Sequence, residues 1–266
     1  MKVYILTDLE GATGVVREEQ TRPGTQEYLE ACRLLTGDVN AAVEGALKGG
    51  ADEAYVLDGH GARGGFNLVI EELHPAAKYI MGGPRPCAIP FLERGFSAAF
   101  LVGYHAMAGT ARAVLDHTMS TRVVYEVSVN GLKVGEIGIH ALILGVFNIP
   151  VALVTGCKKA VEEAKSLLGD IEAVEVKEGL SRNSALLLPP GKTRPMIIEA
   201  AERALKRLGD FKPFKMEPPY TVEITFTHPV YADEAEKKPL AERVNDRTVK
   251  FAGEDLLRVF HAIGWY

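Results

Sequence analysis

Residues 2–11 read Lys-Val-Tyr-Ile-Leu-Thr-Asp-Leu-Glu-Gly, a β-branched and aromatic run that passes directly into two acids and a glycine. Lys2 to Thr7 predicts a short buried strand, and the acids fall where that strand ends. Working outward, Leu29, Leu34, Val39, Val43 and Leu47 recur at helical spacing from Gln26 to Leu47, and Gly49-Gly50 closes the pattern. Glu53 to Leu57, Ala98 to Gly103 and Pro150 to Thr155 repeat the short apolar run, the last after an apolar helix from Glu136 to Val146. Phe66 to Leu73 reads as a short helix. Four such strands separated by helical crossovers predict a doubly wound, mostly parallel sheet covered on both faces, a three-layer α/β/α domain. Asn130-Gly131, flanked by Arg122 to Val129 and by Leu132 to Val134, predicts a hairpin that leads into the helix at Glu136.

The last third changes character. Leu188-Pro189-Pro190-Gly191 reads as a break, followed by an amphipathic helix from Arg194 to Leu208 and a Pro-rich linker from Lys212 to Pro219. An alternating strand (Tyr220 to Thr227), a charged loop (Ala232 to Asn245), a strand (Thr248 to Phe251) and a closing helix (Glu254 to Ile263) complete it. This order predicts a smaller C-terminal α+β subdomain, residues 191–266, after a metal-binding catalytic domain over residues 1–190.

Composition narrows the function. With 47% hydrophobic and 24% charged residues the chain of 266 is an ordinary globular protein, neither disordered nor fibrous. Thirty Lys and Arg against 35 Asp and Glu leave a net charge of -5, which argues against nucleic acid as a partner. Cys32, Cys87 and Cys157 are too few and scattered for a disulfide framework. No signal-peptide core and no membrane-spanning run is present, so the expectation is a cytoplasmic protein with no membrane partner.

In an open parallel sheet, ligands bind at the carboxyl ends of the strands. Those ends carry Asp8 and Glu10, then Asp58-Gly59-His60, then Tyr104-His105, and the helix after the hairpin starts at Glu136. Asp8 and Glu10, two apart on extended backbone, project to one side and would repel without a cation or proton between them. Asp8, Glu10, His60, His105 and Glu136 together form a mixed nitrogen and oxygen donor set suited to zinc, manganese or iron. Five donors exceed what one catalytic zinc takes, so a two-metal site bridged by a carboxylate such as Asp8 is the simplest reading. Taken singly, Asp8 reads as a cap or turn residue, His60 and His105 as hydrogen-bonded structural histidines, and Glu136 as a helix-dipole partner; metal binding rests on their joint placement.

His117, in the loop Leu115 to Met119, reads either as a general base or hydrogen-bond donor beside the metals or as a surface histidine. His140 shares a helix face with Glu136 but lies in an apolar helix, which favours a structural role. Cys157, followed by Lys158-Lys159, is the one cysteine with an electropositive setting, yet no histidine adjoins it. Gly11 to Gly14 does not match a phosphate loop, so no nucleotide cofactor is expected.

At these residues the sequence resembles the zinc-dependent D-aminopeptidases of the DppA type. The resemblance covers Met1 to at least Ala185 and rests on Asp8-Leu-Glu-Gly11, Asp58-Gly-His60, Gly103-Tyr-His105-Ala106, His117-Thr-Met119, Gly135-Glu136-Ile-Gly138 and Ser181-Arg182 with Ala185. It implies two zinc ions per chain, with Mn2+ or Co2+ as possible substitutes. Asp8 would bridge them, Glu10, His60, His105 and Glu136 would complete their coordination, and His117 would be catalytic. His140 would not be a ligand. It further implies a ring-shaped homo-oligomer, a decamer, that cleaves short peptides beginning with a D-amino acid such as D-Ala-D-Ala. Gly156-Cys157-Lys158-Lys159 departs from the acids common there, which leaves substrate choice open. Arg182 is a candidate clamp for a peptide carboxylate, against a surface salt bridge as the plainer reading. Two rivals use the same residues: a di-metal phosphoesterase and a non-catalytic metal-binding scaffold.

Overall fold

The computed structural model describes all 266 residues. Strand β1 (Lys2–Thr7) lies inside a seven-stranded sheet with β2 (Glu53–Asp58), β3 (Ala77–Ile80), β4 (Ala98–Tyr104), β7 (Val151–Cys157), β8 (Glu172–Ser181) and β9 (Ser184–Leu187), in the order β3-β2-β1-β4-β7-β8-β9. All neighbours are parallel except β8 and β9. From β1 the chain crosses to β2 on one side through α1 (Gln26–Lys48). From β4 it moves the other way, to β7 through α2 (Glu136–Val146) and to β8 through α3 (Lys158–Leu168). Right-handed crossovers running in opposite directions put α1 on one face and α2 and α3 on the other. Helix α4 (Pro190–Lys206) packs along α1 and completes its layer. The doubly wound three-layer reading therefore holds, and the strand order reverses between β1 and β4.

The second sheet is antiparallel, with order β11-β12-β10-β5-β6. It takes β5 (Val124–Val129) and β6 (Leu132–Lys133) from before residue 190, and β10 (Tyr220–Phe226), β11 (Ala241–Arg243) and β12 (Thr248–Gly253) from after it. Asn130 and Gly131 both adopt positive φ, 49° and 79°, the backbone of the two-residue hairpin turn expected there. On β10, Val222, Ile224 and Phe226 point inward, meeting Val259, Phe260 and Ile263 of the closing helix α6 (Leu256–Ile263). A short helix α5 (Pro229–Ala235) precedes β11.

Several expectations need correction. A boundary at 190 follows neither sheet, because β5 and β6 cross to the second one while α4 packs on the first, and a single core of 71 residues runs through both. The expected helix over Phe66 to Leu73 is a single 3-10 turn at Ile70–Glu72, since Asp58 holds Asn67 and Leu68 in another conformation. Strands β3, β8 and β9 and helix α3 are additions, and the loop Ala232 to Asn245 contains part of α5 and all of β11. Helix α4 starts at Pro190, ahead of Arg194, because proline suits a first helical turn whose N–H groups have no partner. No helix is long and apolar enough to cross a membrane.

Candidate metal centre

The strand ends remain joined beyond the strands themselves. Asp8 N–H donates to Val102 O at 2.8 Å, and Gly11 N–H to Gly103 O at 2.7 Å. Gly103 has φ +79°, and a Cβ there would lie 2.1 Å from Asp8 O, so only glycine lets β4 pass β1 this closely. This brings Asp8 beside His105. At the end of β2, the fully buried Asp58 accepts from Asn67 Nδ2 (2.6 Å) and Leu68 N (2.9 Å), while Asn67 Nδ2 also donates to His60 O at 2.8 Å. The loop is thereby folded back, and His60 turns toward β1.

Each histidine is oriented by a carbonyl. His60 Nε2 lies 3.2 Å from Thr21 O, His105 Nδ1 3.0 Å from Ala106 O and His117 Nδ1 2.9 Å from Leu115 O. A carbonyl can only accept, so these nitrogens carry protons and leave the opposite ring nitrogens turned inward as the candidate ligand atoms. They point at carboxylates. His60 Nδ1 is 3.1 Å from Asp8 Oδ1 and 3.2 Å from Glu10 Oε2. His105 Nε2 is 3.1 Å from Asp8 Oδ2 and 3.4 Å from Glu136 Oε1, and His117 Nε2 is 3.6 Å from that same oxygen. Two groups of candidate ligand atoms result, Asp8 with Glu10 and His60, and His105 with His117 and Glu136, each spanning no more than 4.8 Å.

Buried carboxylates packed against one another and against these nitrogens repel unless a proton or a metal ion lies between them. Asp8 Oδ2, Glu10 Oε2 and His105 Nε2 are buried without a hydrogen-bond partner, although their neighbours are close enough for one. Short separations at angles unsuited to hydrogen bonding are what atoms show when they converge on a shared cation, so the residues fit a metal. Burial alone would raise the carboxylates, but the adjacent imidazoles override it. They hold Asp8, Glu10 and Glu136 below the ordinary carboxylate range, Glu136 at about 2. In His60 and His105 burial lowers the pKa and the facing carboxylates outweigh it, raising both well above the ordinary value.

The five expected ligands and His117 thus meet in one place. The His117 ring stacks on His105 with centroids 3.9 Å apart and planes 14° apart, and Met119 N–H donates to Glu136 Oε1 at 2.7 Å. His140 stands outside both groups, its Nδ1 2.7 Å from Tyr104 Oη, and burial keeps its pKa low. Arg182 takes the salt bridges of the plainer reading. Its Nη1 bonds Glu18 Oε1 at 2.7 Å, its Nε pairs with Asp116 Oδ1 at 3.3 Å, and its own carbonyl accepts from Leu115 N at 3.0 Å, so it secures the loop that carries His117. Cys157 is buried at the end of β7, and its neighbours Lys158 and Lys159 are paired with Glu178 and Glu162.

Two supporting residues escaped sequence reasoning. Lys177, buried on β8, donates from Nζ to the carbonyls of Glu10 (2.6 Å), Ala12 (2.7 Å) and Val15 (2.5 Å), fixing the loop that follows β1. Glu163 on α3 accepts from Met107 N at 2.7 Å, just past His105. Neither has a signal in the chain, since each depends on an element of the fold that the sequence did not announce.

Comparison with known proteins agrees with this geometry. A family model described as D-aminopeptidase matches residues 1–265. A D-aminopeptidase of Bacillus subtilis (strain 168) is 30% identical over 267 residues, covering 99% of this chain and 95% of its own. A solved structure, described as Zn-dependent D-aminopeptidase DppA from Bacillus subtilis, a self-compartmentalizing protease, superposes with a TM-score of 0.94 at 30% identity, covering 99% of this chain and 95% of that one. Matched over residues 1–265 by the family model and over 99% of its length by its relative, this chain belongs to the D-aminopeptidase family of metallo-peptidases.

Proposed function

We propose that the enzyme is a zinc-dependent aminopeptidase that holds two ions per chain and removes an N-terminal D-amino acid from short peptides. One observation carries the reading: the two oxygens of Asp8 face different ligand groups, Oδ1 toward His60 and Oδ2 toward His105, as a carboxylate shared between two cations would. Glu10 and His60 would complete one site, and His105 and Glu136 the other. The nitrogen and oxygen donors suit zinc, the ion named for the DppA relative, and also accept Mn2+ or Co2+. Ions bound there would supply Lewis acidity toward a peptide carbonyl and ionise a water near neutral pH.

The chain's own groups supply the rest. His117 lines the cavity with its Nδ1 held on Leu115 O, so Nε2 is the atom free to take a proton and return it to the departing amine. Burial of Asp8, Glu10 and His105 limits access of bulk water to the ligand cluster. Ring assembly into a homo-oligomer, in the cytoplasm, belongs to the same proposal and is supported by the description of the relative as self-compartmentalizing.

Elemental analysis beside activity tests it. Two ions per chain, cleavage of D-Ala-D-Ala over L-Ala-L-Ala and no turnover of a chromogenic phosphate ester are expected; preference for the ester would favour a phosphoesterase. His117 falls at ligand distance with His105 and Glu136, so His117→Ala separates its two possible roles. Lost turnover with two ions retained is expected, whereas loss of an ion would make His117 a ligand.

A further inference from the structure

The cavity over the ligand cluster has a volume of about 480 Å3, and among its lining residues Arg85 is the one Lys or Arg. Arg85 stands in the loop between β3 and β4. Its Nη1 donates to the carbonyl of Asp58 (3.2 Å) and to that of Gly82 (3.4 Å). A Cβ on Gly65 would lie 2.8 Å from Nη1, so glycine there makes room for the guanidinium. Those contacts occupy a single nitrogen. Nη2 and Nε have no hydrogen-bond partner and no carboxylate pairs with Arg85, unlike Arg182, which Glu18 and Asp116 hold.

A half-buried guanidinium anchored at one corner, with its other edge open to a cavity, is a receptor for a planar anion. Its anchor, the carbonyl of Asp58, lies two residues before His60, and Arg85 shares the wall of this cavity with Asp8, His60 and Glu136. A short peptide whose scissile amide lies at the ligand cluster has its C-terminal carboxylate in this same cavity, where Arg85 is the one Lys or Arg side chain.

We propose that Arg85 reads the free C-terminal carboxylate of the substrate, restricting the site to peptides short enough for that carboxylate and the scissile amide to be held together. The proposal rests on the aminopeptidase reading above and assigns Arg85 a specificity role.

The test compares D-Ala-D-Ala with its C-terminal amide, using zinc-loaded wild type, Arg85→Met and Arg85→Lys. Wild type is expected to favour the free acid. Arg85→Met should lower kcat/KM on the acid by about 10- to 100-fold, chiefly through KM, and leave the amide within about twofold. Arg85→Lys should retain part of the preference, with metal content unchanged in both variants. Equal loss on acid and amide, or a wild type indifferent to the two, overturns the assignment while leaving the peptidase reading intact. Cleavage of neither peptide by zinc-loaded wild type overturns both. The wild-type comparison decides even where Arg85→Met fails to fold.

Discussion

Replacing Lys177 with methionine keeps the length of the side chain and deletes its charge and its three donors. The ammonium holds the carbonyls of Glu10, Ala12 and Val15, and hydrogen bonds to a charged group contribute about 1.5–3 kcal/mol each. Burial works against this, lowering the lysine from its ordinary 10.5 to about 8, an offset of about 3 kcal/mol. The difference leaves a net loss of about 1.5–6 kcal/mol once three buried acceptors are stranded. For 266 residues this corresponds to a fall in Tm of about 3–11 °C. The loop carries Glu10, so zinc affinity should fall as well, by at least about tenfold. Calorimetric melting of the metal-free protein and zinc titration of both proteins measure the two effects separately. A Tm within about 1 °C of wild type, with unchanged zinc affinity, would refute the claim that this lysine fixes the loop.

Gly103→Ala places a Cβ 2.1 Å from Asp8 O at a φ of +79°, so it should separate β1 from β4 and yield protein that binds no zinc or is insoluble, as read by expression and metal content. Asp38 is raised by burial from 3.8 to about 6; the native state then binds its proton more tightly, so stability falls as pH rises between those values and the cost, about 3 kcal/mol, is complete above them. Asp38→Asn should remove that slope, seen as a variant whose advantage in denaturant unfolding grows by about 2–3 kcal/mol from pH 4.5 to 7.5. Chelation should abolish activity and lower Tm by about 10 °C relative to protein in free zinc at a hundred times the Kd of both sites, with recovery on adding zinc back; a scaffold that needs no ion would melt unchanged.

The central strands were legible because burial on both faces removes polar residues, leaving runs such as Tyr4 to Leu6 and Ala98 to Val102 that no surface element would tolerate. The ligands were legible for the same reason, since each follows such a run or opens a helix. Strand β8 was not, because Glu172 to Ser181 mixes acids with apolar residues and its buried Lys177 is explained only by the loop it holds. Helix α3 begins at Lys158-Lys159, where the charge drew attention to the cysteine beside it and away from Ala160, Val161 and Ala164, the stripe that packs inward. The hairpin announced itself through Asn130-Gly131, but its partner β10 lies about ninety residues further on, and no local pattern encodes so distant a pairing. Arg85 and Arg182 show the same limit: which arginine faces the cavity is decided by loop packing, not by either residue's neighbours.

The hairpin has a mechanical meaning for catalysis. β6 runs straight into α2, so Glu136 sits at the tip of a ribbon whose other edge is clamped by β10 of the outer sheet. A slip of that clamp by one residue would shift this candidate ligand by a full side-chain spacing, about 3.3 Å, more than any metal would tolerate. The outer sheet thereby acts as a jig for the inner one, and changes on its distant surface are a route by which such an enzyme can be retuned without altering a single ligand.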